Sequence, residues 1–311
     1  MSPTPVILDC DPGHDDAIAL LLALASPELE LLGVTTVAGN QTLEKTTANA
    51  IRVLELAGCG DVPVAAGAAR PLARPLFVAS YVHGESGLDG PALPPPQGRP
   101  VERHAVDFIA DLVLASPRPV TLVPTGPLTN VAVFLARHPQ AAARLERIVL
   151  MGGAIAEGNV TPAAEFNVWA DPEAARYVLA SGLDVTMIGL DVTHKALVTP
   201  EHAERLRSSG RIGTVVAELL AFFDRFHRET YGFAGSPVHD AVAVAHVIRP
   251  GLVETVERHV AVECASELCR GRTVVDLWRR TGKTPNASVG IGVDRDAFVE
   301  LLLERIASLG L

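Results

Sequence analysis

The sequence predicts an α/β fold, an open, mostly parallel, doubly wound sheet flanked by helices. Apolar, β-branched runs of strand length alternate with helical stretches through most of the chain, the order that a parallel sheet covered on both faces requires. The 311 residues are 48% hydrophobic, enough to bury one large core. No internal repeat, low-complexity linker or boundary signal interrupts them, so a single domain over residues 1–311 is expected.

The elements follow in order. Val6-Ile7-Leu8 opens the first strand and runs into Asp9-Cys10-Asp11-Pro12-Gly13-His14-Asp15-Asp16. Pro12 and Gly13 mark a tight turn, and residues 17–25 read as a buried helix. Asp9 and Asp11 then stand at the carboxyl end of a strand, where open α/β sheets take their ligands. Asp15 and Asp16 stand at a helix N-terminus, whose dipole favours negative charge. Residues 29–37 read as a second strand closed by Ala38-Gly39-Asn40, residues 42–57 as a helix, and residues 62–67 as a short strand and turn. Residues 68–99 are irregular and rich in Pro and Gly, and they carry Val82-His83-Gly84-Glu85-Ser86-Gly87-Leu88-Asp89-Gly90. A loop of this length in a compact domain reads as a lid or a site wall. A helix at 101–115 and a strand at 120–124 lead to the turn Thr125-Gly126-Pro127-Leu128-Thr129-Asn130 and a helix to residue 137. A strand at 147–151 ends in Gly152-Gly153, a helix covers 171–181, and a strand at 185–190 ends at Asp191. From residue 200 the chain turns mainly helical, at 201–208, 212–231 and 238–247, a cap-like C-terminal portion on a Rossmann-like plan. Apolar segments at 252–262, 273–277 and 287–293 read as further strands of the same sheet, before a last helix at 296–309.

Composition excludes several functions. A formal net charge of -10 argues against nucleic acid or an anionic membrane as partner, and it does nothing to attract phosphorylated substrates. Cys10, Cys59, Cys264 and Cys269 form no CxxC pair and no zinc-like cluster, the pattern of reduced thiols in a cytoplasmic protein. The N-terminal residues show no basic, signal-like segment, and the longest apolar run, residues 17–25, falls far short of the ~20 residues that span a bilayer.

The loops after the strands converge on one edge of such a sheet. They supply Asp9, Asp11, Asp15, Asp16, Asn40, His83, Thr125, Asn159, Glu165, Asn167, Asp191, His239 and Asp240. Carboxylates and amides suit hydroxyl groups and a metal; they are wrong for phosphates, which want cations or glycine-rich helix starts. Four aspartates at one turn repel strongly, and a bound divalent cation relieves that repulsion. Oxygen-only ligands favour calcium or magnesium. Asn159, Glu165 and Asn167 can discriminate sugar hydroxyls, whereas Asp171-Pro172 reads as a helix cap. His227 and Tyr231 lie one helical turn apart, either a polar stripe or a site wall.

The stretch from Asp9 to Asp16 resembles the signature of the inosine-uridine-preferring nucleoside hydrolases. Val37-Ala38-Gly39-Asn40, Pro124 to Asn130, Met151-Gly152-Gly153, Glu165-Phe166-Asn167 and His239-Asp240 resemble the later blocks of that family in order, over nearly the whole chain. The resemblance implies a calcium ion held by Asp11, Asp16, Asp240 and the backbone carbonyl of Thr125, with ribose hydroxyls completing its shell. It implies that Asp15, Asn40 and Asn167 bind the 2′ and 3′ hydroxyls, and that Asn159 and Glu165 bind the 5′ hydroxyl. Asp11 would be general base for a calcium-bound water, in a calcium-dependent hydrolysis of ribonucleosides to ribose and free base. The residues agree with that chemistry, since carboxylates stabilise an oxocarbenium-like state. His239 is the first candidate acid for the leaving base because His titrates near neutral pH, with His83 and Tyr231 behind it. A packing role is expected for His14. A homo-oligomer, tetramer or dimer, is implied; purine versus pyrimidine preference stays open.

Two other readings compete. Asp9-Cys10-Asp11-Pro12-Gly13 is superficially similar to the nucleophile loop of haloacid-dehalogenase-like phosphatases, but Lys195 is the one obvious cation for a phosphate clamp. A non-catalytic nucleoside or ribose binder is the other, and the intact Asp11, Asp15, Asp16 and Asp240 argue against it.

Overall fold

A computed structural model of the chain describes residues 2–310. Twelve strands occur among them: β1 (Thr4–Cys10), β2 (Leu29–Thr36), β3 (Val64–Ala66), β4 (Val120–Pro124), β5 (Leu145–Met151), β6 (Val185–Ile188), β7 (Leu197–Val198), β8 (Ser236–Pro237), β9 (Val253–Arg258), β10 (Val260–Val262), β11 (Thr273–Val275) and β12 (Ala287–Val293). Eight of them form one sheet in the order β3-β2-β1-β4-β5-β6-β12-β9. Every neighbouring pair is parallel except β12 with β9 at the edge. The winding reverses between β1 and β4, and such a reversal leaves a crevice beyond the carboxyl ends of the strands.

The period-two alternation of β1 feeds two cores. Val6, Leu8 and Cys10 face the helices His14–Leu24, Leu43–Leu56, His239–Ile248 and Arg295–Ser308. Ile7 faces the opposite layer, built by Ala105–Ala115, Thr129–Arg137 and Pro172–Leu179. Helix His14–Leu24 is buried at nearly every position, because the sheet, helix His239–Ile248 beside it and helices Leu43–Leu56, Arg211–Tyr231 and Arg295–Ser308 all pack against it. Helix Arg211–Tyr231 is amphipathic instead, burying Ile212, Val216, Leu219, Leu220, Phe223 and His227, and it stops at Gly232 in the left-handed conformation, φ 68°.

Three expectations are corrected. The C-terminal apolar segments do not all join the main sheet. Val260–Val262 pairs with Thr273–Val275 in a separate antiparallel ribbon. Asn286 detaches it, its amide oxygen accepting from Val260 N at 2.7 Å and its amide nitrogen donating to Val260 O at 3.0 Å. The helix expected from residue 101 begins at Ala105, because Val101 bridges to the edge of β3 and His104 caps the first turn. The strand expected to reach residue 190 ends at Ile188, and Leu190–Thr193 is a single helical turn. All four cysteines are free thiols. Among the described residues no helix is long and apolar enough to cross a membrane.

A candidate active site at the carboxyl edge of the sheet

The turn after β1 places its carboxylates where β4 also ends. Asp16 occupies the third position of helix His14–Leu24, and its Oδ2 accepts from the capping Gly13 N at 3.1 Å and from Asn40 Nδ2 at 3.1 Å. Its Oδ1 accepts from the Thr125 hydroxyl at 2.8 Å and from Asp11 N at 3.3 Å. The Thr125 side chain is therefore part of the site, although the resemblance assigned only its carbonyl. Asp11 Oδ2 accepts from Asn40 N at 2.6 Å, while its Oδ1 is buried without a partner. No side chain fits beside it: a Cβ on Gly39 would stand 2.1 Å from Oδ2, and one on Gly126 would stand 2.6 Å from Oδ1.

Asp15, Asp16 and Asp240 each bring a carboxylate oxygen within 4.8 Å of the other two. Asp15 thus completes the tightest triad, with Asp11 alongside through its backbone contact to Asp16. All four acids are buried. Burial, then the neighbouring carboxylates, push Asp11 well above the usual carboxylate range. Burial is likewise the main cause of the rise at Asp15, Asp16 and Asp240. An all-oxygen donor set, an orphaned carboxylate oxygen, and a cavity lining without Lys or Arg fit a hard dication.

The next strand end adds amides. Asn167 Nδ2 donates to the Thr125 carbonyl at 2.7 Å and to the Met151 carbonyl at 3.2 Å, bridging β4 and β5. Glu165 is the N-cap of the short helix Phe166–Ala170, accepting from Asn167 N, Val168 N and Gly153 N at 2.8, 3.1 and 2.8 Å. Burial still raises its pKa to about 7. Asn159 Oδ1 accepts from Phe166 N at 2.9 Å. Asp171 caps helix Pro172–Leu179, as expected. Asp9 and Asp191 lie off the cavity. Asp9 accepts from Thr35 and Asn130, while Asp191 accepts from Ile155 N and Ala156 N.

One cavity gathers Asp15, Asn40, His83, Thr125, Asn159, Glu165, Asn167, Tyr231, His239 and Asp240. Asp11 and Asp16 lie beneath its floor. The rest of the lining is mostly aromatic, Tyr81, Phe166, Phe223, Phe226, His194 and His227, with Ala79, Val82 and Met151 between them. Of these, sequence reasoning had singled out only His227 as a candidate wall. Position alone could have found His194, because Asp191-Val192-Thr193-His194 follows β6 at the same sheet edge. The long loop does supply wall, through its helical turn Ser80–His83.

His14 packs as expected, stacked on Phe222 at 5.1 Å and Phe223 at 5.5 Å, and it also holds the loop, with Nε2 2.8 Å from the Asp89 carbonyl. Tyr231 donates its hydroxyl to the Asn159 carbonyl at 3.2 Å. Burial, reinforced by neighbouring imidazoles, lowers His83 and His239 well below the usual range, and burial takes His227 down to about 4. The expectation that His239 titrates near neutrality is therefore corrected: burial without an acidic partner disfavours the imidazolium.

The chain is similar to known proteins over nearly its whole length. The family model described as "Inosine-uridine preferring nucleoside hydrolase" matches residues 6–300. A pyrimidine-specific ribonucleoside hydrolase RihA of Citrobacter koseri is 54% identical over 305 residues, covering 97% of this chain and 98% of that protein. A solved purine-preferring ribonucleoside hydrolase from Gardnerella vaginalis superposes with a TM-score of 0.93 at 35% identity over 99% of both chains. The plant nucleoside hydrolase PpNRh1 follows with a TM-score of 0.92 at 34% identity, over 98% of this chain and 99% of that one.

Proposed function

The chain belongs to the inosine-uridine preferring nucleoside hydrolase family and is a ribonucleoside hydrolase, and from that premise we propose that it acts on pyrimidine ribonucleosides with Asp11 as general base and calcium as its metal. The pyrimidine preference is supported by the 54% identity to RihA, well above the 35% to the purine-preferring enzyme. The observation that carries the chemistry is the buried acidic cluster, with its unpartnered Asp11 Oδ1, under an imidazole-lined cavity that has no Lys or Arg.

Asp11, Asp16, Asp240 and the Thr125 carbonyl would hold the ion, with Asp15 close enough to share in it. When bound, a hard dication orients and acidifies the attacking water and offsets the mutual repulsion of the acids. Asn40, Asn167 and Asp15, which line the cavity, would meet the ribose diol, and Asn159 and Glu165 its 5′ end. In the reaction the bond from C1′ to the base nitrogen breaks, and its electron pair leaves with the base. The water oxygen bonds to C1′, and Asp11 takes the water proton. The surrounding carboxylates stabilise the positive charge that develops on the ring. The departing base needs a donor. His239 is favoured over Tyr231, whose hydroxyl is engaged by Asn159, and over His83. A buried neutral imidazole serves there as a hydrogen-bond donor. The same reading carries a cytoplasmic homo-oligomer, which sedimentation velocity on the purified chain would test.

Incubation with uridine, cytidine and inosine in calcium, followed by assay of free ribose, is the direct test. Ribose release from the two pyrimidine nucleosides, with inosine slower, is expected. Release from inosine alone would overturn the preference, and release from none would overturn the proposed chemistry.

A further inference from the structure

Two imidazoles in the base end of the cavity have their ring protons assigned by partners that leave no choice. His227 Nδ1 lies 2.9 Å from the Phe223 carbonyl. A carbonyl only accepts, so Nδ1 carries the hydrogen and Nε2 is a bare lone pair. His239 Nδ1 lies 2.7 Å from the Thr193 hydroxyl. Thr193 is fully buried, and that ring nitrogen is the one hydrogen-bond partner of its hydroxyl among the described residues. If the ring donated, the hydroxyl hydrogen would be stranded in a dry site, so the hydroxyl donates and the ring hydrogen sits on Nε2. Among the described residues neither Nε2 has a partner, neither is sealed from the cavity, and both rings line it. The ring centroids are 6.1 Å apart, close enough to meet one heterocycle. Both rings are packed against rotation. Phe223 meets His227 edge-on at 4.3 Å, with Tyr231 stacked at 5.9 Å, and His194 stands 5.5 Å from His239.

We propose that Thr193 and the Phe223 carbonyl are positioning groups that lock His239 and His227 in opposite tautomers, so that these two rings meet the base with one N–H donor and one bare ring-nitrogen acceptor. This rests on the reading of the cavity as a nucleoside site and adds a hydrogen-bond pattern that a bound base must match. The base must offer an acceptor to His239 and a hydrogen to His227. Uracil does so with a carbonyl and its N3–H, and cytosine does so with its carbonyl and exocyclic amine. A pyrimidine that keeps its carbonyls and loses the hydrogen leaves His227 Nε2 facing an unmatched edge.

Three measurements on the calcium-loaded full chain test this. Uridine, 3-methyluridine and 4-nitrophenyl riboside are compared, the last having a leaving group that needs no such contact. Methylation at N3 should lower kcat/KM by roughly a hundredfold relative to uridine. Thr193→Val should lower kcat on uridine roughly tenfold while sparing the nitrophenyl riboside, and Thr193→Ser should restore it. Long-range proton–nitrogen spectra of imidazole-labelled enzyme should show His239 protonated at Nε2 and His227 at Nδ1, whatever the activity. The inference is overturned by equal turnover of uridine and 3-methyluridine, by a Thr193→Val loss shared equally by both leaving groups, or by the reverse tautomer at either ring. Failure to cleave any of the three ribosides would instead sink the nucleoside reading beneath it.

Discussion

At the acidic end of the cavity the polar groups are anchored on one turn, the one after β1, which Asp240 joins from a later helix. Asp16 is held by Gly13 N and Asp11 N, with Asn40 and Thr125 closing over it from the next two strand ends. At the base end they come from far apart: His83 from the long loop, His227 and Tyr231 from the end of a 21-residue helix, and His239 from the start of the next. The first end is crowded with carboxylates and the second with imidazoles, with no Lys or Arg in the cavity lining among the described residues. The contrast separates two tasks. Holding an ion and a sugar needs charges fixed by backbone, and a rigid strand–turn–helix supplies them. Reading a base needs polar atoms spread around a flat heterocycle, and these are drawn from distant loops and helix ends.

Four outcomes would break or sharpen this contrast. The largest effect belongs to the acidic end. Asp11→Asn should cut kcat by about a thousandfold, within the range for a lost general base, and should raise the melting temperature of metal-free enzyme, because one buried charge is gone. Kinetics and calorimetry on the same variant read both, and retained activity would remove Asp11 from the mechanism. Next, chelation should abolish turnover and added calcium should restore it, while Thr125→Val should weaken calcium binding by roughly 10–100-fold through the lost contact to Asp16 Oδ1, as titration calorimetry would show. A null result would confine Thr125 to its carbonyl.

The third outcome concerns pH. Burial raises Asp9 to about 6 from an ordinary 3.8, and Glu165 to about 7 from 4.5. In each case the folded form holds its proton longer than the unfolded chain, so stability is full below the ordinary value and is lost as pH climbs through the raised one. Metal-free enzyme should therefore melt progressively lower between about pH 4 and pH 7, and Glu165→Gln should flatten the upper part of that slope. A rising curve there would contradict the burial argument. The smallest effect falls on the loop. Asp89 accepts from Glu85 N and Ser86 N, and His14 Nε2 holds the carbonyl of the same residue. Asp89→Ala should raise KM a few-fold with little change in kcat, as a loosened wall would; a matching fall in kcat would tie the loop to the chemistry.

The acidic end was legible in the sequence because all but one of its carboxylates, Asp240, are contiguous. Four aspartates around Pro12-Gly13 announce both the turn and the charge problem, and the strand ends at Asn40, Thr125 and Asn167 follow from the alternation of elements. The base end was only half legible. His83 stood out in a glycine-rich loop, but Thr193 and Phe223 act through a hydroxyl and a carbonyl whose partners lie 46 and 4 residues away, and no local pattern marks such pairs. Glu165 shows the opposite difficulty. Its place in a polar turn suggests a sugar contact, but nothing in the sequence announces the three backbone N–H groups that fix its carboxylate at the cavity wall. The ribbon of β10 and β11 was missed because the side chain of Asn286, not any break in hydrophobicity, ends the pairing with the main sheet.

The reversal of winding between β1 and β4 has a mechanical consequence. Asp11 and Asp16 follow one of these strands and Thr125 the other, so a cation gripped by all three would rivet together the two oppositely wound halves of the molecule. Neither half could then peel away without first giving up the ion, so its removal would loosen the architecture at its seam as well as silence the reaction.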